Sequence, residues 1–509
     1  MEQSDFGFTN STKIESMSRE ELVKKYQLIA DELARVVKEN YELRELKVAD
    51  EQLRMVLEEQ MAELAETLYG SSSERYKKPR IKPQTPAEPK PRIKKPSQRY
   101  PNIPVIEERI AIEPAPNCQA CGNVMKDSGM TEDSEQLTVI PKKYEVKRIM
   151  RVKYTCNCHG CVQTAPLPPR IIAGSSYSDE MILDVVLSKY CDLIPMDRYR
   201  VMAERGGLVG LPPQSLIELT HGFSDFVIPA YKLIKYEIMQ SRVFQADETP
   251  HRMLEGAEKK SWYLWGFSTP EACFLECHDT RSGDVASEIL IESQCEVLVS
   301  DVFSGYGRGI RLANESRVRM MEKRFIVNAN CNAHARRYFF KPRHKYKEAY
   351  FYLDHYHEIY QLNSDSKGKP PDEVLKLRSQ MKPRFEAMKA RAMEELVRYP
   401  QKNKYRKALN YFIENYDGLT LFLNQADVPI DNNMQEALLR NPVVGRKTWY
   451  GTHSERGAKT AAVLFSLVES CKLNHVNPRE YLEKLTSELL LGKDAFTPNQ
   501  FKHRLTPAL

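Results

Sequence analysis

VFQADETPHR, residues 243–252, places two adjacent acids directly behind an apolar run and follows them with a proline. Similar short runs recur downstream, and a segment with helical periodicity, GDVASEILIES (283–293), lies among them. The runs are SRVFQADE (241–248), SWYLWGFST (261–269), ACFLECHD (272–279), CEVLVSDVF (295–303) and RFIVNANC (324–331). Short runs rich in β-branched and aromatic residues predict strands. The order of three strands, a helix and two more strands predicts an α/β or α+β sheet domain.

Two of the predicted strands end in a carboxylate. Asp247 follows VFQA and Asp301 follows EVLVS, so both acids are expected at one edge of the sheet. A third acid, Glu436, falls on a predicted helix in DNNMQEALLRNP (431–442). Three converging carboxylates repel one another unless a cation lies among them, and an all-oxygen ligand set suits Mg²⁺ or Mn²⁺. Two such ions stabilise the attacking and leaving oxygens of a phosphodiester displacement.

The residues that follow Asp247 are predicted to have other roles. Glu248 points to the opposite face of a strand with a period of two, so we expect it to make structural contacts. Thr249 is expected to bond nearby backbone. Pro250 is expected to stop the strand pairing just past the acid, because it has no N–H to donate.

Length and composition predict a soluble protein of several domains. The chain has 509 residues, of which 41% are apolar and 28% charged, and at roughly 150 residues per domain this length suggests about three units. No apolar run reaches the length of about 20 residues that spans a bilayer. Residues 1–20 lack the basic start and apolar centre of a secretory signal, which favours a reducing cytoplasm. The 11 cysteines are therefore expected as free thiols or metal ligands.

Positive charge is concentrated in two segments. Residues 74–100 hold ten Lys or Arg and two Glu, and residues 317–347 hold ten Lys or Arg and one Glu. Contacts from Lys and Arg to phosphates supply most of the non-specific affinity for nucleic acids, so these segments favour a nucleic-acid partner. A solvated linker and a solvated helix face are the alternative interpretations.

Residues 18–70 are predicted to form a long coiled-coil helix. Apolar residues recur there at heptad-like spacing, with Asn40 at one seam position and a three-residue step between Leu43 and Leu46. A seam asparagine often fixes the oligomeric state, so this helix favours a homodimer or a higher assembly, with packing on its own chain as the alternative. Residues 71–104 follow as a basic linker that is rich in proline.

Clustered cysteines predict a structural zinc-binding module over residues 105–172. The first cluster is CQAC (118–121) and the second is CNCHGC (156–161). Tetrahedral Zn²⁺ takes two ligands from each of two turns, and a site with four protein ligands leaves no position for a substrate. The favoured ligands are Cys118, Cys121, Cys158 and Cys161, with Cys156 as an alternative and His159 also eligible.

Five segments carry a further, more specific signal: SRVFQADETPHRML (241–254), SDVFSGYGR (300–308), CNAHARRYFF (331–340), PIDNNMQEALLRNPVVGRKTWYG (429–451) and CKLNHVNPREYL (471–482). They resemble successive blocks of the bacterial DDE transposases of the insertion sequence 66 family. Upstream, LYGSSSERYK (68–77), the paired cysteines and APLPPRII (165–172) resemble that family's leucine-zipper tail, zinc-binding domain and link to the catalytic domain. One departure is Ala437, because family members usually carry Arg directly after the catalytic Glu.

The resemblance implies a multidomain chain with an α/β ribonuclease-H-like catalytic core and a helical insertion, preceded by the coiled coil and the zinc-binding module. Matching blocks make Asp247, Asp301 and Glu436 the three catalytic acids that hold two Mg²⁺ or Mn²⁺ ions. His334, in CNAHARR (331–337), is implied to lie near the active site and to position the scissile phosphate or a flanking nucleotide, with a structural histidine as the alternative.

Residue type predicts several DNA contacts around these blocks, because guanidinium groups suit phosphate oxygens. The candidates are Arg336, Arg337, Arg440, Arg446 and Lys447. Asn432 and Asn433 are predicted to cap the helix of Glu436. Trp449 is predicted either to stack on a base or to lie in the core.

The remaining domain boundaries follow from the helical and strand patterns. They are a helical region with a possible helix-turn-helix (173–240), the first part of the catalytic core (241–340), the helical insertion (341–428), the last part of the core with Glu436 (429–460) and a C-terminal helical region (461–509).

The function implied by the resemblance is that of a transposase that binds terminal inverted repeats, cleaves DNA strands with metal ions and transfers the 3′-hydroxyl into target DNA. Its partners would be double-stranded DNA at the transposon ends and the target, and small accessory proteins of the element; no membrane is expected. The protein would act in the bacterial cytoplasm, at the nucleoid. The alternatives are a non-catalytic DNA-binding regulator and a ribonuclease-H-like nuclease that cuts without joining.

Overall fold

The computed structural model describes residues 27, 30–35 and 95–505, the last range with short gaps. The gaps are 112–114, 118, 121, 127–128, 131, 133, 156–160, 255–260 and 401. Most of the predicted coiled coil therefore lies outside the described residues. Among the predicted zinc ligands, Cys161 is described and exposed, whereas the others lie in the gaps: Cys118, Cys121, Cys156, Cys158 and His159. The coiled coil and the zinc site stay predictions.

The chain divides into two compact units, Ser71–Lys147 and the rest. The smaller unit contains one turn of helix, α1 (Pro96–Arg99). The backbone N–H and the hydroxyl of Ser97 both donate to the carboxylate of Glu135, over 2.8 and 2.9 Å. This pair of bonds ties the start of the helical turn to a segment nearly forty residues further on.

Seven strands are found in the described parts of the larger unit, in a two-stranded and a five-stranded sheet. The strands are β1 (Lys153–Thr155), β2 (Val162–Thr164), β3 (Val243–Arg252), β4 (Ser261–Ser268), β5 (Cys273–His278), β6 (Val297–Ser300) and β7 (Val327–Asn330). In the larger sheet the order is β5-β4-β3-β6-β7; β3, β4 and β5 are antiparallel, and β3, β6 and β7 are parallel. The mixed α/β fold predicted from the sequence is confirmed, and this order is compatible with a ribonuclease-H-like core.

The pairing of β3 continues past Pro250, contrary to the prediction. Pro250 lies opposite Tyr263, and the ladder between β3 and β4 runs on to the pair Arg252 and Ser261. β6 pairs with β3 only as far as Gln245. At Pro250 β6 no longer lies beside β3, so a proline can occupy this position with its missing N–H turned away from the ladder with β4.

Helices account for most of the larger unit. They are α2 (Asp179–Tyr190), α3 (Met196–Arg205), α4 (Pro213–Phe226), α5 (Ile228–Met239), α6 (Gly283–Glu292), α7 (Ser304–Arg319), α8 (Asn332–Phe340), α9 (Ala349–Asp365), α10 (Pro371–Ser379), α11 (Lys382–Leu396), α12 (Lys404–Glu414), α13 (Tyr416–Thr420), α14 (Asn433–Trp449), α15 (Glu455–Leu473), α16 (Pro478–Leu490) and α17 (Pro498–Leu505). None of the helices in the described residues is long and apolar enough to cross a membrane.

The helices from α9 to α13 pack around aromatic side chains that share one core with the sheet. The rings of Phe339 and Tyr352 stack with centroids 4.1 Å apart, and the same buried cluster includes Val297 and Val299 of β6. Stacked rings that are fully removed from water hold their neighbours in one arrangement. The helices that precede α14 are therefore attached to the strand that leads to Asp301.

A buried arginine joins α7 to the loop before β6. Arg317 is 1% exposed, and its Nη1 donates to the carbonyl of Cys295 over 2.8 Å. Its Nη2 donates to the carbonyls of Leu290 and Ser293 over 3.2 and 2.7 Å. The guanidinium thus satisfies three carbonyl groups around the end of α6.

We expect Arg317→Met to lower the free energy of unfolding by about 3 kcal/mol or more, because three carbonyls would lose their charged donor. Urea denaturation followed by circular dichroism measures the change. Arg319→Met is the matched control, since Arg319 lies on the same helix and is exposed; it should change the stability by less than about 0.5 kcal/mol. Equal effects of the two substitutions would contradict the assignment.

The edge of the sheet at β5 is covered by α15. The backbone N–H groups of Cys273 and Leu275 donate to the hydroxyls of Ser470 and Ser466, over 2.9 and 2.8 Å. Tyr231 of α5 donates its hydroxyl to the carbonyl of Leu275 over 2.8 Å. Side chains thereby take the place of the missing strand on that edge.

Candidate active site

Asp247 lies on β3 just beyond the point where β6 ceases to pair with it. The last pair in the parallel register joins Gln245 to Val299. Because paired parallel strands keep a constant offset, Asp301, which directly follows β6, comes level with Asp247. The two acids therefore lie together at the carboxyl end of β6, which is the edge of the sheet predicted from the sequence.

Other acids crowd the carboxyl group of Asp247. Burial raises its pKa to about 8, and the negative charges of Glu248, Asp301 and Glu436 add to this effect. Charges shift the pKa of a neighbouring group in this way when they lie within several ångströms of it. The structure therefore brings the three acids predicted from the sequence into one cluster, although 189 residues separate the first from the last.

A local turn holds Asp301 at the end of its strand. Its Oδ1 accepts a hydrogen bond from the backbone N–H of Phe303 over 3.0 Å, which is a common arrangement for an aspartate that opens a turn. The guanidinium of Arg281 lies over the ring of Phe303, 3.9 Å from its centroid. The carboxylate of Asp301 is thus set between the sheet and the start of α7.

Glu248 is held by partners of its own, although its negative charge still acts on Asp247. Its side chain is 2% exposed and forms an ion pair with Arg281, and Tyr306 donates its hydroxyl to Oε2. Burial raises the pKa of Glu248, and the hydrogen bonds from Tyr306 and Arg281 oppose that shift. These contacts agree with the structural role predicted for Glu248. Arg281 was not identified from the sequence. It lies 33 residues after Glu248, and no local pattern indicates that the two side chains meet.

Glu436 lies in the first turn of α14, and Gln245 of β3 holds the start of that helix. Gln245 Oε1 accepts a hydrogen bond from the backbone N–H of Gln435 over 3.1 Å. Gln245 Nε2 donates to the carbonyl of Asp431 over 3.3 Å. One side chain, two residues before Asp247, therefore fixes the backbone on both sides of the start of α14. The sequence gives no signal for this link, because it joins positions 190 residues apart.

Asn432 occupies the N-cap position of α14 but does not cap it. Its side chain makes no capping hydrogen bond and instead donates from Nδ2 to the carbonyl of Ala246 over 2.8 Å. The N–H of Asn433 donates to the side chain of Asp431 over 3.2 Å. The predicted capping role of Asn432 is therefore wrong, because the bond from its Nδ2 to β3 directs the side chain toward the sheet. We call the bonds made by Gln245 and Asn432 the β3–α14 clamp.

α14 approaches the sheet closely because Gly266 of β4 has no side chain. A Cβ at this position would lie 2.1 Å from Nε2 of Gln435. A larger residue would force the side chain of Gln435, which directly precedes Glu436, to move. Gly266 lies opposite Asp247 in the register of β3 and β4, so the close approach occurs beside the acid cluster.

His334 and Arg337 of α8 approach Glu436 from the other side. His334 Nδ1 lies 3.6 Å from Glu436 Oε1, and Arg337 Nη2 lies 3.9 Å from Oε2. Both distances exceed that of a hydrogen bond. The sequence placed His334 near the active site, and the structure places it beside the third acid.

The other predicted DNA contacts lie in different surroundings. Arg440 and Lys447 are exposed on α14, and Arg336 is half-buried on α8. Arg446 donates from Nη1 to Oγ1 of Thr249 over 3.1 Å, and burial lowers the pKa of Arg446. Thr249 therefore bonds a distant guanidinium rather than only the nearby backbone that was expected.

Trp449 packs against α2. The ammonium of Lys189 lies 4.2 Å from the centre of its ring, and Tyr190 meets it edge to face with centroids 6.4 Å apart. These contacts favour the core alternative for Trp449 over the base-stacking one.

Comparisons with known proteins agree with this architecture. The model of the transposase IS66 family matches residues 174–460, more than half of the chain. Two similar proteins come from Sinorhizobium fredii (strain NBRC 101917 / NGR234). Uncharacterized protein y4hP is 23% identical over 410 residues, which cover 76% of this chain and 72% of the relative. Uncharacterized protein y4jD is 26% identical over 407 residues, covering 75% of this chain and 76% of the relative. With its acid cluster on a five-stranded mixed sheet and a family match over more than half of its length, the chain belongs to the transposase IS66 family.

Proposed function

We propose that this transposase binds the terminal inverted repeats of its element, cleaves the DNA strands there and joins the freed 3′-hydroxyl to target DNA. The observation that carries the proposal is the cluster of Asp247, Asp301 and Glu436 in a chain of this family. Acids that can hold divalent cations suit chemistry in which water or a sugar hydroxyl attacks a phosphodiester.

Asp247, Asp301 and Glu436 would hold Mg²⁺ or Mn²⁺, two ions in the proposed arrangement. The donor set fits, because all three ligands offer carboxylate oxygens and hard divalent cations prefer oxygen. The negative charges of Asp301 and Glu436 both act on Asp247, so a cation near Asp247 would relieve their mutual repulsion. When bound, the ions would activate the attacking oxygen and stabilise the leaving oxygen.

Neighbouring side chains would keep Asp247, Asp301 and Glu436 in position to bind the ions and would attract the DNA. Arg281 and Tyr306 satisfy Glu248, so the second acid of the 247–248 pair does not compete for the cation. The β3–α14 clamp sets the position of Glu436 relative to Asp247. His334 and the basic residues of α8 and α14 face the DNA in this proposal, and their charge would hold phosphates near the acids.

The raised pKa of Asp247 predicts how the stability of the fold depends on pH. An unfolded aspartate titrates at its ordinary pKa of 3.8, whereas folding raises this value to about 8. Between these values the folded protein keeps a proton that the unfolded chain has lost, so without a divalent cation this group makes the fold less stable as the pH rises. A cation competes with that proton and restores stability. We therefore expect the Mg²⁺-induced rise in Tm to grow from about pH 6 to about pH 8.

Differential scanning fluorimetry of the wild type and of Asp247→Asn, with and without Mg²⁺, measures this effect. The variant lacks the titrating carboxyl, so its Mg²⁺-induced rise in Tm should be small and should not depend on pH. A rise that shrinks with increasing pH, or that is equal in the two proteins, would argue against a cation at Asp247.

An assay with the ends of the element tests the function itself. Labelled DNA carrying the terminal inverted repeats is incubated with the protein, Mg²⁺ and a supercoiled target, and cleaved and joined products are separated on a gel. Cleavage followed by joining supports a transposase. Cleavage without joining would replace the proposal with a nuclease, and binding without cleavage in any divalent cation would replace it with a regulator.

The roles proposed for the N-terminal coiled coil and the cysteine module rest on the sequence alone. A coiled coil over residues 18–70 would bring two copies together, so that each transposon end meets one set of acids. The module over residues 105–172 would hold a structural Zn²⁺ through its cysteines.

A further inference from the structure

Cys331, His334 and Glu436 bring three different metal-ligating groups together. The sulfur of Cys331, a ring nitrogen of His334 and a carboxylate oxygen of Glu436 all lie within 4.8 Å of one another. Cys331 is the N-cap of α8 and His334 lies one turn further on, so the helix presents both from one face. Glu436 faces them from the first turn of α14.

Two atoms of this group are buried and unsatisfied. Within the part of the chain that the structure describes, His334 Nδ1 and Glu436 Oε1 have no hydrogen-bond partner, although they face each other over 3.6 Å. A buried polar atom left without a partner costs about 1–3 kcal/mol. Two such atoms aimed at the same point indicate a ligand that would satisfy both.

The separation fits a metal ion between them. Zn²⁺ binds nitrogen and oxygen ligands at about 2.0–2.1 Å in a tetrahedral arrangement, which separates two such ligands by roughly 3.3 Å. The observed 3.6 Å between His334 Nδ1 and Glu436 Oε1 is close to that value. Cys331 Sγ, which lies within 4.8 Å of both atoms, would be the third ligand, and the fourth position would remain open to water.

The types of ligand atom distinguish this site from the cluster of Asp247, Asp301 and Glu436, with which it shares Glu436. A thiolate and an imidazole favour Zn²⁺ or Co²⁺ over Mg²⁺, which prefers oxygen ligands alone. Burial raises the pKa of the Cys331 thiol, and the N–H of Asn432, which points at its Sγ over 3.3 Å, opposes that shift. The side chains of His334 and Glu436 are 26% and 24% exposed, so an ion can reach the buried sulfur from their side.

We propose that Cys331, His334 and Glu436 form a site for a thiophilic divalent cation such as Zn²⁺, and that an ion bound there holds Glu436 away from the carboxylate cluster and blocks DNA cleavage. On binding, the S–H bond of Cys331 breaks, a sulfur–metal bond forms and the proton passes to solvent. Binding of the ion depends on this geometry alone, whereas the inhibition rests on the proposed function.

Titration of Co²⁺ into the full-length protein tests the binding. Coordination of Cys331 gives a thiolate-to-cobalt absorption band in the near ultraviolet, and the difference between the wild type and Cys331→Ser isolates this band from any given by other cysteines. We expect Cys331→Ser to bind one Co²⁺ fewer, and His334→Asn and Glu436→Gln to bind that ion at least about ten-fold more weakly. Cys277→Ser, which removes another buried cysteine, should keep the full band.

Equal Co²⁺ stoichiometry and affinity in the wild type and Cys331→Ser would overturn the proposal. If circular dichroism shows that Cys331→Ser does not fold, the two other variants decide, because His334 and Glu436 are partly exposed. Unchanged affinity in both of them would equally overturn it.

Inhibition is measured as the Zn²⁺ concentration that halves Mg²⁺-dependent cleavage. We expect this concentration to be at least about ten-fold higher for Cys331→Ser than for the wild type, each compared with its own zinc-free rate. An equal concentration would refute the inhibitory part. If the protein cleaves no DNA at all, the proposed function fails, whereas the cobalt titration still decides whether the site exists.

Discussion

Asp247→Asn is expected to lower the rates of DNA cleavage and strand transfer by about 1,000-fold or more. Asparagine has nearly the shape of aspartate, and its side-chain oxygen can still accept the hydrogen bond that the N–H of Glu248 donates over 3.0 Å. It lacks the negative charge that a divalent cation needs from the cluster. The loss should therefore fall on the chemical step, and gel-shift affinity for the terminal repeats should stay within about two-fold.

Stability distinguishes this role from a structural one. Burial and neighbouring acids raise the pKa of Asp247 to about 8, so at higher pH the metal-free fold carries a carboxylate that would be more stable in water. Asparagine carries no charge that burial would destabilise, so the Tm of the metal-free variant should equal or exceed that of the wild type. Loss of activity without loss of stability marks a residue selected for its chemistry.

Asp372→Asn provides the matched control, since Asp372 is exposed at the start of α10. It should leave cleavage and joining unchanged. If Asp247→Asn keeps activity within about ten-fold of the wild type, or loses it only because the protein unfolds, then Asp247 is not a catalytic acid.

Gln245→Ala is expected to lower the cleavage rate about 10- to 100-fold, the usual effect of removing a residue that orients a metal ligand. Two hydrogen bonds disappear, those to the N–H of Gln435 and the carbonyl of Asp431, and the start of α14 is no longer fixed to β3. Glu436 would then sample several positions. The Mg²⁺ concentration for half-maximal activity should therefore rise together with the loss of rate.

The metal requirement distinguishes positioning from general damage. Asn432→Ala removes the other part of the β3–α14 clamp and should raise the Mg²⁺ requirement in the same direction, while Gln380→Ala, at an exposed site after α10, should not. A Gln245→Ala variant that is slow but needs no more Mg²⁺ than the wild type would show that Gln245 supports the fold without positioning Glu436.

Local pattern predicted the strands of the sheet. Asp247 and Asp301 could be noticed because each ends an apolar run, and the constant offset of parallel strands then brings them level. All three acids, however, could be selected from the 69 Asp and Glu residues of the chain only through the resemblance. The helix that carries it reaches the acids through tertiary contacts with β3 and β4.

The errors have the same physical origin. Asn432 was expected to cap its own helix, but the carbonyl of Ala246 competes for its side chain. Pro250 was expected to stop a ladder that in fact continues on the side where no proline N–H is needed. In both cases tertiary structure decides the outcome, through a partner 186 residues away for Asn432 and through the end of pairing with β6 for Pro250.

The cover of β5 by α15 has a consequence for synthesis of the chain. Cys273 and Leu275 precede their serine partners by 197 and 191 residues, which at about 5–20 residues per second takes a ribosome roughly 10–40 s. During that interval the outer edge of β5 has free N–H groups that can pair with a strand of another nascent chain. A copy of the gene that ends before α15 would leave this edge permanently open, and its product would tend to aggregate rather than to compete with the intact protein for DNA.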